Sequence, residues 1–360
     1  MNRLASYVVP AKAGTYDHRH RDMFSDSGHG SPLPRGRPGV IVRYAFAFAL
    51  AVPFAWAATS AAAEDMLKVA IGQINNWENQ APTLGQDAGI FKQRGLVLEN
   101  VGTAGAGETL QPVISGSADI GAGVGVAGVM RAFSRGAPVR ILLPAFTGTQ
   151  DLYWYVKADS PIKSLKDTTA SNTIAYSTSG SSSNNLVVAF VDELGAKAKP
   201  TATGSPPGTL TAVMSGQIDI GWAAPPFGLK EIEEGKIRIV ARGSDVPSLR
   251  DQTVRVLIVN ADALKSKHDA ITRFVEGYRE AVDWMYSDPK AIKMYAEKIK
   301  SSEDLIKKSI REFHPKEAMQ TDEMKDLDGI QRDAVKLKFI DKPLTKEQLA
   351  EFLQIPPRKK

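Results

Sequence analysis

Thr109 to Gly123 reads TLQPVISGSADIGAG, and one hundred residues later Thr209 to Ala223 reads TLTAVMSGQIDIGWA, with eight of the fifteen positions identical. In each copy a helix-compatible run ends at Ser-Gly (Ser115-Gly116, Ser215-Gly216), where glycine supplies the left-handed turn that closes a helix. An Asp-Ile-Gly strand start follows directly. A helix feeding a buried strand is an α/β unit, and two related units spaced so widely predict two similar lobes facing each other. The space between such lobes is where a ligand belongs.

The chain has 360 residues, and its first 63 read differently from the rest. Up to Arg43 it is rich in Arg, His, Gly and Pro; Tyr44 to Ala58 is then apolar apart from Pro53, and Ala61-Ala62-Ala63 follows. A basic segment, a short apolar run and a small-residue cleavage site describe an export signal, the apolar run being shorter than a membrane span requires. Cleavage is expected after Ala63, with Met23 an alternative start and an uncleaved anchor the alternative fate. The leader carries 7 of the 45 basic and 3 of the 40 acidic residues, leaving 38 and 37. The remaining chain is nearly neutral, which gives a nucleic-acid partner little support, since that would want a clustered basic face. Cysteine is absent, excluding thiolate chemistry, disulfides and Cys-ligated metals. Export without disulfides suits a periplasm, and the length beyond the leader is enough for two domains.

From residue 64 strands and helices alternate, which predicts mainly parallel sheets with helices on both faces. Met66 to Gln73 reads as a buried strand, Pro82 to Arg94 as a helix, and Val139 to Phe146 as the last strand before a crossover at Leu152 to Lys157. Lobe one is expected over 64–156, lobe two over 157–252, and a return segment with C-terminal helices over 253–360. Val254 to Val259 (VRVLIV) reads as the return crossover. From Asp269 to Tyr286 the residues Ile271, Phe274, Val275, Tyr278, Ala281, Val282 and Met285 fall at helical spacing, a core stripe. The helices after it read as a casing on lobe one.

These stretches carry a resemblance. Ala88 to Leu96 (AGIFKQRGL), Ile114 to Gly121, Ser164 to Asp167, Ser177 to Ser183 and Met214 to Phe227 resemble, in order, the substrate-binding proteins of ABC importers that handle nitrate, sulfonates, taurine and thiamine-pyrimidine precursors. The resemblance implies a type II periplasmic-binding-protein fold, two α/β lobes joined by two crossovers that close on a small molecule by domain rotation. It also implies a periplasmic, monomeric protein that hands its ligand to an ABC permease and needs no cofactor. A synthase of thiamine pyrimidine shares the fold, but its pattern uses a Cys-rich motif and a site histidine. Here Cys is absent and the only histidines after the leader are His268 and His314, both expected at the surface. A ligand-sensing partner of a membrane receptor would use the same cleft.

Ligands in open α/β sheets sit beyond the carboxyl ends of the strands, and those ends name the candidates. After the first strand come Gln73, Asn76 and Trp77, amides beside a flat indole. Gly125 and Val126 stand at a helix start, where glycine either admits a ligand to backbone N–H groups or makes a tight turn. Phe146 serves either cleft or core. In lobe two, Ser179, Gly180, Ser181 and Ser182 lie between a strand and a helix, where hydroxyls and the helix N-terminus favour an anionic group; the alternative is a Ser-rich cap and nothing more. Trp222 and Pro225 follow the second repeat strand, and Trp222 is expected to face Trp77 across the cleft. Replacing Trp77 or Ser181 by Ala should weaken binding. Asp119 and Asp219 lie at strand starts, away from those ends, and are expected to bind backbone amides. With no Arg or Lys evident at the strand ends, a bare inorganic anion is the less favoured ligand.

Overall fold

The computed structural model describes residues 64–358. The expected leader and its cleavage site lie outside the described residues. No helix among them is long and apolar enough to cross a membrane.

The first lobe begins β1 (Asp65–Gly72), α1 (Ala81–Asp87), β2 (Leu96–Thr103), α2 (Ala106–Ser115), β3 (Ile120–Gly125), α3 (Val126–Ser134), β4 (Val139–Thr147). The second holds β5 (Tyr153–Lys157), β6 (Thr173–Tyr176), α4 (Ser182–Leu194), β7 (Lys199–Ala202), α5 (Pro206–Met214), β8 (Gly221–Ala223), α6 (Leu229–Glu233) and β9 (Ile237–Arg242). The chain then returns through β10 (Thr253–Asn260) and ends in α7 (Ala261–Ser266), α8 (His268–Ser287), α9 (Pro289–Ile299), α10 (Glu303–Phe313), α11 (Leu327–Lys336) and α12 (Lys346–Phe352).

The duplication read from sequence extends to sheet topology. The first sheet runs β2-β1-β3-β10-β4, with β1 parallel to β2 and β3 and with β10 antiparallel to both its neighbours. In the second lobe β8-β5-β9 and β6-β7 meet at a parallel bridge between Ile174 and Ile220. The resulting order, β7-β6-β8-β5-β9, is the same, with β5 the antiparallel member. The repeats build matching devices. Gly116 and Gly216 take φ of 74° and 78°, conformations open to glycine without strain. Asp119 Oδ2 accepts from the Lys68 amide at 2.9 Å and Asp219 Oδ2 from the Thr173 amide at 2.8 Å. The hydroxyls of Thr103 and Thr109, and of Thr203 and Thr209, lie 2.6 Å apart in each copy.

Two expectations need correction. Tyr153–Lys157 is a central strand of the second sheet rather than a crossover: three aromatics in a row bury on both faces only in a sheet interior, and all three are fully buried. The crossing therefore falls at 148–152, not at 156/157. The C-terminal helices are also not confined to lobe one. The stripe of α8 fills the lobe-one core as expected, but α10 straddles: Ile306 packs into lobe one, whereas Phe313 packs against Tyr153 in lobe two. Further on, Lys336 of α11 pairs with Asp192 of α4 at 2.7 Å.

Candidate functional site

The turn after β1 shapes one wall of the site. Trp77–Asn79 is a single 3-10 turn preceded by Asn76, and because side chains three apart eclipse in that geometry, Asn76 and Asn79 share one side while Trp77 points the other way. Asn76 Nδ2 donates to Glu78 Oε1 at 3.0 Å and Asn79 Nδ2 to the Gly72 carbonyl at 2.7 Å. Gln73, Asn76, Glu78 and Asn79 all line a cavity of about 30 Å³ between the lobes.

The N-terminus of α4 forms the opposite wall. Ser181 caps it, its Oγ accepting from the Asn184 amide at 3.1 Å, and Ser183 Oγ accepts from the Ser177 amide at 3.0 Å. The first-turn N–H groups lend this wall a partial positive charge. Trp222 lines the same cavity, and its indole Nε1 is buried with no hydrogen-bond partner among the described residues. Arg255, from the middle of β10, completes the floor. Its Nη1 donates to Ser182 Oγ at 3.0 Å, its Nη2 pairs with Asp151, and the guanidinium carbon sits 4.5 Å from the centre of the Phe146 ring. Arg255 Nε has no hydrogen-bond partner among the described residues.

Elsewhere the lobes touch backbone to backbone. A methyl group on Gly125 would lie 2.4 Å from the Gly180 carbonyl oxygen, and one on Gly128 2.9 Å from the same atom. The Gly107 amide donates to Thr178 Oγ1 at 3.0 Å. This is a closed arrangement, a polar cavity sealed by glycine contacts at one side and opening at the other to a groove beside Ile74, Pro226 and Phe227.

A closed, two-lobed molecule with a duplicated five-strand order and a polar chamber between its lobes has known counterparts. The family model described as NMT1/THI5 like matches residues 79–292, more than half of the chain. The chain belongs to the NMT1/THI5-like family. Solved structures similar to it include the alkanesulfonate-binding protein SsuA from Xanthomonas axonopodis pv. citri bound to MOPS (16% identity, TM-score 0.68, covering 81% of this chain and 98% of that one). The periplasmic aliphatic sulphonate binding protein SsuA from Escherichia coli is another (18%, 0.63, 82% and 94%). The periplasmic nitrate-binding protein NrtA from Synechocystis PCC 6803 is a third (13%, 0.59, 80% and 84%). At these identities the likeness is one of fold, the periplasmic-binding-protein fold. No curated protein matches the sequence.

In this NMT1/THI5-like chain the cavity gathers Gln73, Asn76, Ser181, Ser182 and Trp222 from the sequence-derived candidates. It leaves out the others. Trp77 is wholly buried, its Nε1 donating to Tyr286 Oη at 3.0 Å and its ring 5.2 Å from that of Tyr295; it cannot face Trp222. Val126 packs into the core beneath β3 and Phe146 into the core of lobe one. Gly125 and Gly180 touch each other's segments instead of a ligand. Ser179 is exposed, 3.4 Å from Arg131 Nη1, and Pro225 is buried outside the cavity.

Sequence reasoning missed the charged residues. Arg255 supplies the cation absent from the strand-end survey; its signal was a lone charge inside VRVLIV, a strand buried along its whole length. His314, expected at the surface, is fully buried with Nε2 3.2 Å from Glu78 Oε2. His268 is exposed, as expected. Burial pushes Asp151 up to about 6 against the pull of Arg255. For Glu78, burial also works upward, but His314 and Arg255 outweigh it and hold the carboxyl below its usual range.

Proposed function

We propose that the protein is the extracytoplasmic solute-binding component of an ABC importer. It acts as a periplasmic monomer that captures a small anionic or planar organic solute between its lobes and delivers it to an inner-membrane permease. The observation that carries this reading is a pair of buried N–H donors, Trp222 Nε1 and Arg255 Nε, that border the interlobe cavity without an acceptor among the described residues. A buried unpaired donor costs about 1–3 kcal/mol, so the cavity favours a solute that brings acceptor oxygens or ring nitrogens. The hydroxyls of Ser181 and Ser182 and the first turn of α4 add donors on the same wall. Sulfonates, carboxylates and pyrimidines meet that description, and Arg255 restores to the site the cation that makes an acidic headgroup favourable. The neighbours named for sulfonate and nitrate binding support the same solute chemistry.

The mechanism needs no covalent step. Solute docks on one lobe, the lobes rotate about the crossovers, and the closed form meets the permease. A thermal-shift screen of the chain from Glu64 against sulfonates, carboxylates, nitrate and pyrimidines tests it, because a ligand that binds only the folded state raises its apparent stability. A saturable shift with one class, reduced in Trp222→Phe, which keeps the ring and removes the donor, is expected. No shift across all four classes would refute the solute assignment.

A further inference from the structure

Glu78, Asp151 and His314 are 3%, 0% and 0% exposed, and they come from three distant segments: the turn after β1, the first crossover and the end of α10. Among the described residues Asp151 Oδ1 is buried without a hydrogen-bond partner, and Glu78 Oε2 and His314 Nε2 face each other at 3.2 Å without a well-aligned hydrogen bond. Buried polar atoms left this way in one place run against the rule that they are paired. They are also close. The three residues offer ligand atoms that all lie within 4.8 Å of one another, so a point no more than about 2.8 Å from each exists between them. A small swing of a carboxylate brings that to an ordinary metal–oxygen length of about 2.0–2.2 Å.

The His314 Nδ1 faces the Ser309 carbonyl at 3.4 Å, and a carbonyl oxygen only accepts, so Nδ1 carries a proton and Nε2 is the nitrogen turned to Glu78, 3.2 Å from its Oε2. Two donors bound to one metal at about 2.1 Å are separated by about 3.0–3.4 Å, and an imidazole whose other nitrogen is held by a backbone carbonyl is the usual arrangement of a metal-bound histidine.

We propose that Glu78, Asp151 and His314 bind one divalent first-row cation, Zn²⁺ or Mn²⁺, at the floor of the interlobe cavity. One imidazole with two carboxylates suits these ions. Three protein ligands leave a coordination position open, and Glu78, which lines the cavity, sets the site beside it. Only this last step, the cation as an anchor for the solute, rests on the solute-binding reading.

The test is calorimetry of the whole protein, purified without a histidine tag and stripped with chelator, titrated with ZnCl₂ or MnCl₂ alone. One saturable equivalent is expected, weakened about tenfold or more by His314→Gln or Glu78→Gln and unchanged by His268→Ala, whose ring is exposed. X-ray absorption of the Zn-loaded wild type should show one imidazole among oxygen ligands, and this readout holds even where a variant fails to fold. Absence of a saturable equivalent for either ion, binding unaffected by both floor variants, or absorption lacking the single imidazole overturns the site. An NMR titration showing His314 doubly protonated at neutral pH in the stripped and the metal-treated protein alike would overturn it too. The two readings fail separately: solute shifts without metal binding refute the cation alone, and metal binding without any solute shift refutes the solute reading alone.

Discussion

Trp77 follows β1 and Trp222 lies within β8; both are buried, yet Trp222 lines the cavity and Trp77 does not. The difference is made far away in sequence, by Tyr286 of α8 and Tyr295 of α9, which cover the Trp77 indole, and nothing in the local stretch INNWEN encodes that cover. Trp77→Ala is therefore expected to cost about 3–5 kcal/mol of stability, measured by urea unfolding, in place of the selective loss of binding expected from sequence. A cost below about 1 kcal/mol would contradict the packing described. Polar residues at strand ends were easier to read: Asn76, Ser181 and Ser182 line the cavity, and Ser181 caps α4 as well. A second residue-scale prediction concerns Asp167, which accepts from the Ser164 amide at 2.7 Å and the Lys163 amide at 3.0 Å. Those bonds hold its carboxyl below the usual range. Its contribution to stability is thus present above the unfolded-state pKa of about 3.9 and is lost as the pH falls through the lower folded value. A carboxyl-resolved NMR titration that places Asp167 at or above 3.9 would contradict this.

At the scale of elements, the contact between the start of α3 and the loop before α4 decides how tightly the lobes meet. Gly125 has ordinary dihedrals, φ −66° and ψ 125°, so alanine there strains no backbone. Its methyl would instead meet the Gly180 carbonyl oxygen at 2.4 Å and the Ser181 Cα at 2.8 Å, backbone atoms that cannot swing aside. Gly125→Ala should prop the lobes apart, lowering solute affinity about tenfold, or ~1.4 kcal/mol, while leaving the unliganded protein's melting temperature nearly unchanged. Unaltered affinity would mean that closure does not use this contact. Sequence showed small residues at both places but not that they meet, because contact across the lobes depends on the angle between two sheets. The helix-to-strand repeat, in contrast, was legible in its closing glycines, which are short-range devices, and in its amide-binding aspartate, which reaches the neighbouring strand 51 positions away in one copy and 46 in the other.

For the whole molecule, the solute-binding role proposed above calls for an open form from which solute enters, with the crossovers at 148–152 and 251–253 as the segments proposed to bend. They are tied to each other by the Gly148 amide donating to the Gln252 carbonyl at 2.9 Å and by the Asp151–Arg255 pair just beyond. Small-angle scattering should show the solute-free protein with a larger radius of gyration than the solute-bound form, and equal radii would argue against hinged closure. The sequence by itself determined the two-lobed α/β plan, the duplicated helix-to-strand unit, the core stripe of α8 and the run of serines before α4, since these follow from periodicity, capping and residues near one another in the chain. Only the tertiary structure decided which tryptophan is buried, where the crossover lies, how the C-terminal helices bridge the lobes, and that Glu78, Asp151, Arg255 and His314 converge. Those four stand up to 236 positions apart in the numbering, and a charged cluster of that span exists only once two sheets and a helix end have been packed against one another, when burial forces each charge to find its partner.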